Sequence, residues 1–138
     1  MLAVDAGPRS EISAFLTTYL QPGGEAKDRA LLAAVLSHCG VAPEAIHSVL
    51  ALHRLLSAAR PETLYFSWKA LDSARGAKID YAGARLGIVA EAFAALVGAD
   101  DARIVSQWGR ILDARQASYV GVAVGPTGPT GLRVYFTK

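Results

Sequence analysis

Polar residues, lysine, arginine and tyrosine among them, recur at every second position in three stretches of this sequence. In Thr63–Leu71 (TLYFSWKAL), strand alternation puts Tyr65, Ser67 and Lys69 on one side and Leu64, Phe66, Trp68 and Ala70 on the other. In Ala77–Tyr81, Lys78 and Asp80 alternate against Ile79 and Tyr81. Near the end of the chain, Arg133, Tyr135 and Thr137 share a side opposite Val134 and Phe136. Cations and phenols gathered on one sheet face suit a phosphorylated anion, because Arg and Lys donate charge-assisted hydrogen bonds to phosphate oxygens. The same alternation also describes the solvent face of an ordinary half-buried sheet. Tyr119, Gly121 and Ala123 alternate as a small-residue face, with room either for an apolar ligand or for a closely packed helix.

Other chemistries find less support. Asp100-Asp101 lacks the third acid of a DDxxD magnesium motif and reads as a helix cap. His47 and His53 are not on one helical face, and no HExxH occurs. His38 and Cys39 are neighbours on a helix, about 100° apart, so they do not converge as a nucleophile pair. No GxSxG, GxGxxG or GxxxxGK[ST] is present, which disfavours a serine triad and the common nucleotide sites. The aromatic-rich strand signature of sheet-based RNA binding is absent, so no nucleic-acid partner is expected.

The elements that must position the polar face follow from periodicity. Residues 1–60 are rich in Ala and Leu and are expected to be helical throughout. A first helix after Gly7-Pro8 carries Ile12, Phe15, Leu16, Tyr19 and Leu20 as one stripe, and Gln21–Gly24 stops it. A second helix spans about Glu25–His38, with Gly40 as a left-handed cap. Pro43 opens a third, with Ile46, Val49, Leu50, His53 and Leu56 on one side, and Pro61 closes it. The strand from Thr63 turns through Asp72–Gly76 into Ala77–Tyr81, making a β-hairpin. Leu86–Val97 is the clearest helical stripe and ends at Gly98. The next helix, capped by Asp100, buries Ile104, Val105, Trp108, Ile111 and Leu112. Ser118–Val124 and Leu132–Lys138 form a second hairpin around a long, exposed connection, Gly125–Gly131. The expected fold is α+β, in the order ααα–ββ–αα–ββ, with helices packed on one face of an antiparallel sheet made of two hairpins.

Composition bounds the class. With 138 residues, the chain fits a single domain, a helical segment (1–60) followed by a ββααββ segment (61–138). At 52% hydrophobic and a net charge of +2, it is too apolar to be disordered. A dedicated DNA-binding arm is not expected, because no block of like charge occurs. One cysteine excludes an intrachain disulfide and a cysteine-rich zinc site. No apolar run approaches the length of a membrane span, and no secretory leader opens the sequence, so a cytoplasmic location is expected.

The hairpins resemble the strand pairs of soluble aromatic prenyltransferases of the ABBA type, in which αββα units repeat around an antiparallel barrel. The resemblance lies in residues 62–138. It is carried by Val120-Gly121-Val122, the Gly/Pro turn and Arg133-Val134-Tyr135, and by ETLYFSWKALDSARGAKIDYAG in the earlier unit. There, Lys78-Ile79-Asp80 stands where the family tends to have a basic-x-tyrosine triplet, so Asp80 departs from the pattern. The resemblance implies a metal-independent transferase with no cofactor that moves an allylic group from a prenyl diphosphate to a small aromatic acceptor. Carried over to this sequence, Lys69, Lys78 and Arg133 hold the diphosphate, while Tyr135 and Tyr65 shield the allylic cation. Four strands cannot close a ligand-holding barrel, which takes roughly eight. A homo-oligomer, a partner chain or a longer protein is therefore expected. The alternative is a non-catalytic α+β binding or oligomerisation module.

Overall fold

The computed structural model describes the backbone of residues 2–6, 12–19, 25–59, 63–70 and 77–136, and the side chains within 25–59 and 77–136. The elements run β1 (Leu2–Ala6), β2 (Ile12–Tyr19), α1 (Glu25–His38), α2 (Pro43–Ala58), β3 (Thr63–Ala70), β4 (Ala77–Arg85), α3 (Leu86–Leu96), α4 (Ala99–Ile111), β5 (Gln116–Gly125) and β6 (Gly128–Tyr135). The fold is α+β, and the sheet is antiparallel with its strands in chain order, β1 to β6. The order is ββ–αα–ββ–αα–ββ.

This corrects the expected order at its start. In place of a first helix, the chain forms β1 and β2, and β2 pairs with β3 from Ile12↔Ala70 to Tyr19↔Thr63. The i, i+3, i+4 spacing in ISAFLTTY fits a helix, but so short an apolar run does not decide between helix and strand. Its β-branched Ile12, Thr17 and Thr18 and aromatic Phe15 and Tyr19 favour the extended form. The helical segment expected over residues 1–60 is therefore confined to α1 and α2 among the described residues.

Glycine and proline punctuate the helices as expected. Gly40 takes a φ of 76°, and the Val41 N–H returns to the Leu36 carbonyl at 3.0 Å, closing α1. Pro43 opens α2. At α4 the expected cap does not form: Gly98, with φ 127°, is the N-cap residue, and Asp100 and Asp101 lie in the first turn. There they still oppose the positive end of the helix.

The last hairpin is tighter than expected. Only Pro126 and Thr127 separate the paired Gly125 and Gly128. Pro129 belongs to β6, which tolerates it because an edge strand needs no donor on its open side. The Pro126 carbonyl accepts a 2.8 Å hydrogen bond from the Ala42 N–H, docking the turn on the start of α2. Thr137 and Lys138, like the Asp72–Gly76 turn, lie outside the described residues.

The core joins α1 (Leu32, Leu36), α2 (Val49, Leu52, Leu56), α3 (Val89, Phe93) and one face of β4 and β5 (Ile79, Tyr81, Val120, Val122). Helices α2 and α3 make the main contacts with β4, β5 and β6, while α4 packs chiefly on α3. Helix α4 does not bury the side expected of it. Val105 is buried, but Ile104, Trp108 and Ile111 are 48%, 51% and 70% exposed. Among the described residues, no helix is long and apolar enough to cross a membrane.

Candidate functional site

The polar residues of the hairpins fall on one face because the register carries their alternation from strand to strand. Asp80 stands opposite Tyr65 on β3 and Gly121 on β5, and Gly121 stands opposite Arg133 on β6. Lys78 stands opposite Ser67 and Ala123. Tyr119 stands opposite Ala82 and Tyr135. Lys69 lies further along β3, opposite Ser13 of β2. All of these positions lie on the side away from Ile79, Tyr81, Val120 and Val122, which the helices cover. For Tyr65 and Lys69 the structure gives this backbone placement.

Where side chains are described, the face has a definite geometry. Lys78 Nζ lies 2.9 Å from Asp80 Oδ1, with the two side chains 45% and 17% exposed. The contact is an ion pair off the line of a hydrogen bond, and the buried Oδ1 has no hydrogen-bond donor among the described residues. The same Nζ stands 5.7 Å from the centre of the Tyr135 ring, within range of a cation–π attraction. Arg133 and Tyr135 are exposed beside it. Lys78, Asp80 and Arg133 together carry one net positive charge, and Lys78 already shares its charge with Asp80. An anion binding here would draw Lys78 toward itself and use Arg133 as the cation without an ion pair among the described residues.

Gly121 makes the arrangement possible. A Cβ built there would come within 2.8 Å of Asp80 Oδ1 and 3.2 Å of Lys78 Cε. The missing side chain is the seat of the ion pair, a role that the small-residue alternation hinted at without showing what fills the space. No helix packs into it, since the helices lie on the opposite face. Gly121→Ala is expected to push the Asp80 carboxylate and the Lys78 stem aside and break the pair, with a stability change within about 1 kcal/mol because the crowded atoms are the ends of movable side chains. A urea midpoint lowered by much more than this would contradict it.

A second polar group, not anticipated from the sequence, lies beneath the sheet. The Tyr81 hydroxyl is 2.9 Å from His53 Nδ1, and Ser57 Oγ is 3.3 Å from His53 Nε2. With Nδ1 neutral and accepting from Tyr81, Nε2–H donates to Ser57. Burial, and then the charge of Arg29, hold the His53 pKa down to about 4, and burial pushes that of the Tyr81 phenol up. The sequence places both residues on apolar faces, His53 on α2 and Tyr81 on β4, but not in contact. Enclosed as it is, the chain of three serves packing.

Among the described residues, no cluster of three or more His, Cys, Asp or Glu side chains is assembled to hold a metal. His38, His47 and His53 stay apart, with His47 bonded to the Pro43 carbonyl on its own helix. Burial raises the pKa of the Cys39 thiol, the opposite of what an activated nucleophile needs. No protein-family model matches the chain, and neither a curated protein nor a solved structure shows significant similarity to it.

Proposed function

We propose that the polar face of the sheet binds the diphosphate of an allylic prenyl donor, and that the chain is an aromatic prenyltransferase or a prenyltransferase-like domain. The observation that carries this reading is the register, which aligns Lys78, Arg133 and Tyr135 with the positions of Tyr65 and Lys69 on the helix-free face. The alternation of strand pairs with helix pairs, all strands neighbouring in chain order, is also what an αββα-type barrel would require.

In the proposed reaction, the allylic C–O bond breaks and its electron pair leaves with the diphosphate, which Lys78, Arg133 and Lys69 hold. An aromatic ring carbon of the acceptor bonds to the allylic carbon, and the ring then gives up its proton to the released diphosphate. Tyr135 and Tyr65 present ring faces to the cation. Cations fixed where negative charge grows on the leaving group supply most of the acceleration. The acceptor is a small aromatic molecule, and the site works in a homo-oligomer or with a partner chain.

Calorimetric titration with geranyl diphosphate tests the proposal. Arg133→Ala is expected to weaken binding ~10–100-fold, the worth of a charge-assisted hydrogen bond. Absence of heat at millimolar ligand would sink the reading. A second reading, a binding module without chemistry, is favoured by the Lys78–Asp80 pair, which satisfies part of the face without a ligand. It expects Arg133→Ala to change the state of assembly and to leave no diphosphate binding to lose.

A further inference from the structure

The helices are displaced along the sheet relative to the strands that precede them. Helix α2 comes after β2 in the chain, yet its main strand contacts are with β4 and β6. The turn between β5 and β6 docks on its first residues through the Ala42–Pro126 hydrogen bond. Applied to the next helix pair, the same displacement carries α4, which follows β4, past β6, beyond which no strand lies among the described residues. The environment of α4 agrees: it packs chiefly on α3, and Ile104, Trp108 and Ile111 form an exposed apolar stripe at i, i+4, i+7.

The far end of the sheet has the complementary gap. Among the described residues, the main helix contacts fall on β4, β5 and β6, with none of that rank on β1, β2 or β3. Yet the register positions in line with the buried Ile79 are Phe66, Leu16 and Leu2, and those in line with Ala77 are Trp68, Ala14 and Val4. Apolar residue types thus continue to β1 on the face where the helices stop.

We propose that two copies of this chain join head to tail, α4 of each covering β1 and β2 of the other. The polarity of the sheet permits it. Six alternating strands make β6 run opposite to β1, so β6 of one copy can pair antiparallel with β1 of the next. The lengths agree too: β1 has 5 residues, and β6 beyond Pro129 offers Thr130–Tyr135. A head-to-tail contact repeated once around a two-fold axis closes a ring and leaves no open edge. Six strands are too few to enclose a ligand, whereas two sheets of six exceed the roughly eight needed. The polar face then lines the interior. The proposal deepens the diphosphate reading and rests on it for what the chamber holds, but the association itself rests on the stripe, the bare apolar rows and the edges.

Sedimentation equilibrium of the intact chain at micromolar concentration tests it. The expected mass is two chains. Trp108→Lys is expected to raise the dimer dissociation constant ~30-fold or more, as loss of a central interface tryptophan does, with an unchanged far-ultraviolet circular dichroism spectrum. Ile111→Lys, at a more exposed position of the same stripe, provides a second variant if the first does not fold. A single-chain wild-type mass, an open-ended polymer, or a dimer indifferent to both variants would overturn the proposal. Titrating the same samples with geranyl diphosphate separates the two ideas. A dimer that binds no diphosphate leaves the association standing and ends the enzymatic reading. A monomer that binds it does the reverse.

Discussion

Tyr81→Ala is expected to cost about 4 kcal/mol of folding stability, read as a lowered urea midpoint. Among the described residues Tyr81 is the largest fully buried side chain, 1% exposed, on the covered face of β4. Truncating a buried aromatic ring costs about 3–5 kcal/mol through lost transfer energy and the cavity left behind. The change also removes the hydroxyl that donates to His53 Nδ1, stranding an acceptor in a site 3% exposed. Tyr81→Phe separates the two contributions. It keeps the ring and is expected to cost about 1–3 kcal/mol, the penalty for one unmet buried polar group. An alanine variant no less stable than the phenylalanine one would show that the ring is not packed as described.

Acid is expected to destabilise the protein through the same pair. The folded state holds the His53 pKa at about 4, below its usual 6.5, first by burial and then by the Arg29 charge. The unfolded chain takes up a proton near pH 6.5 that the folded chain refuses until near pH 4. Stability is therefore complete above about pH 6.5, falls as the pH drops through that window, and levels off below it. A shift from 6.5 to about 4 corresponds to about 3 kcal/mol. Asp28, whose pKa is raised by burial and then by Glu25, acts with the opposite sign on acidification, so the difference between two proteins is the cleaner measure. His53→Gln keeps an acceptor for Tyr81 and removes the titration. The wild-type stability relative to this variant should decline between pH 6.5 and pH 4, and a flat difference would refute the assignment.

Much of this was legible where local physics is decisive. Pro43 and Gly40 bound α2 and α1 because one lacks a donor and the other takes a left-handed φ. Alternation in Ala77–Tyr81 gave both faces of β4, and the register then aligned Lys78, Arg133 and Tyr135. The failures lie where neighbours decide. Residues 12–19 combine a helical period with β-branched and aromatic residue types that favour a strand, and pairing with β3 selects the strand. Pro129 reads as loop because a proline breaks an interior strand, but β6 is an edge. The apolar stripe of α4 says which residues share a side and nothing about whether this chain covers it. The Lys78–Asp80 contact depends on the vacancy at Gly121 across the strand, which no spacing within β4 reveals.

The bond between Ala42 and Pro126 fixes an order of events during synthesis. Helices α1 and α2 leave the ribosome before β4 and β6, the strands on which α2 rests, and before the turn that anchors its start. The nascent chain must therefore carry the helical pair without its resting place until β6 has emerged. A product truncated before these strands would keep its helices and lose their platform, making it a natural client for chaperones.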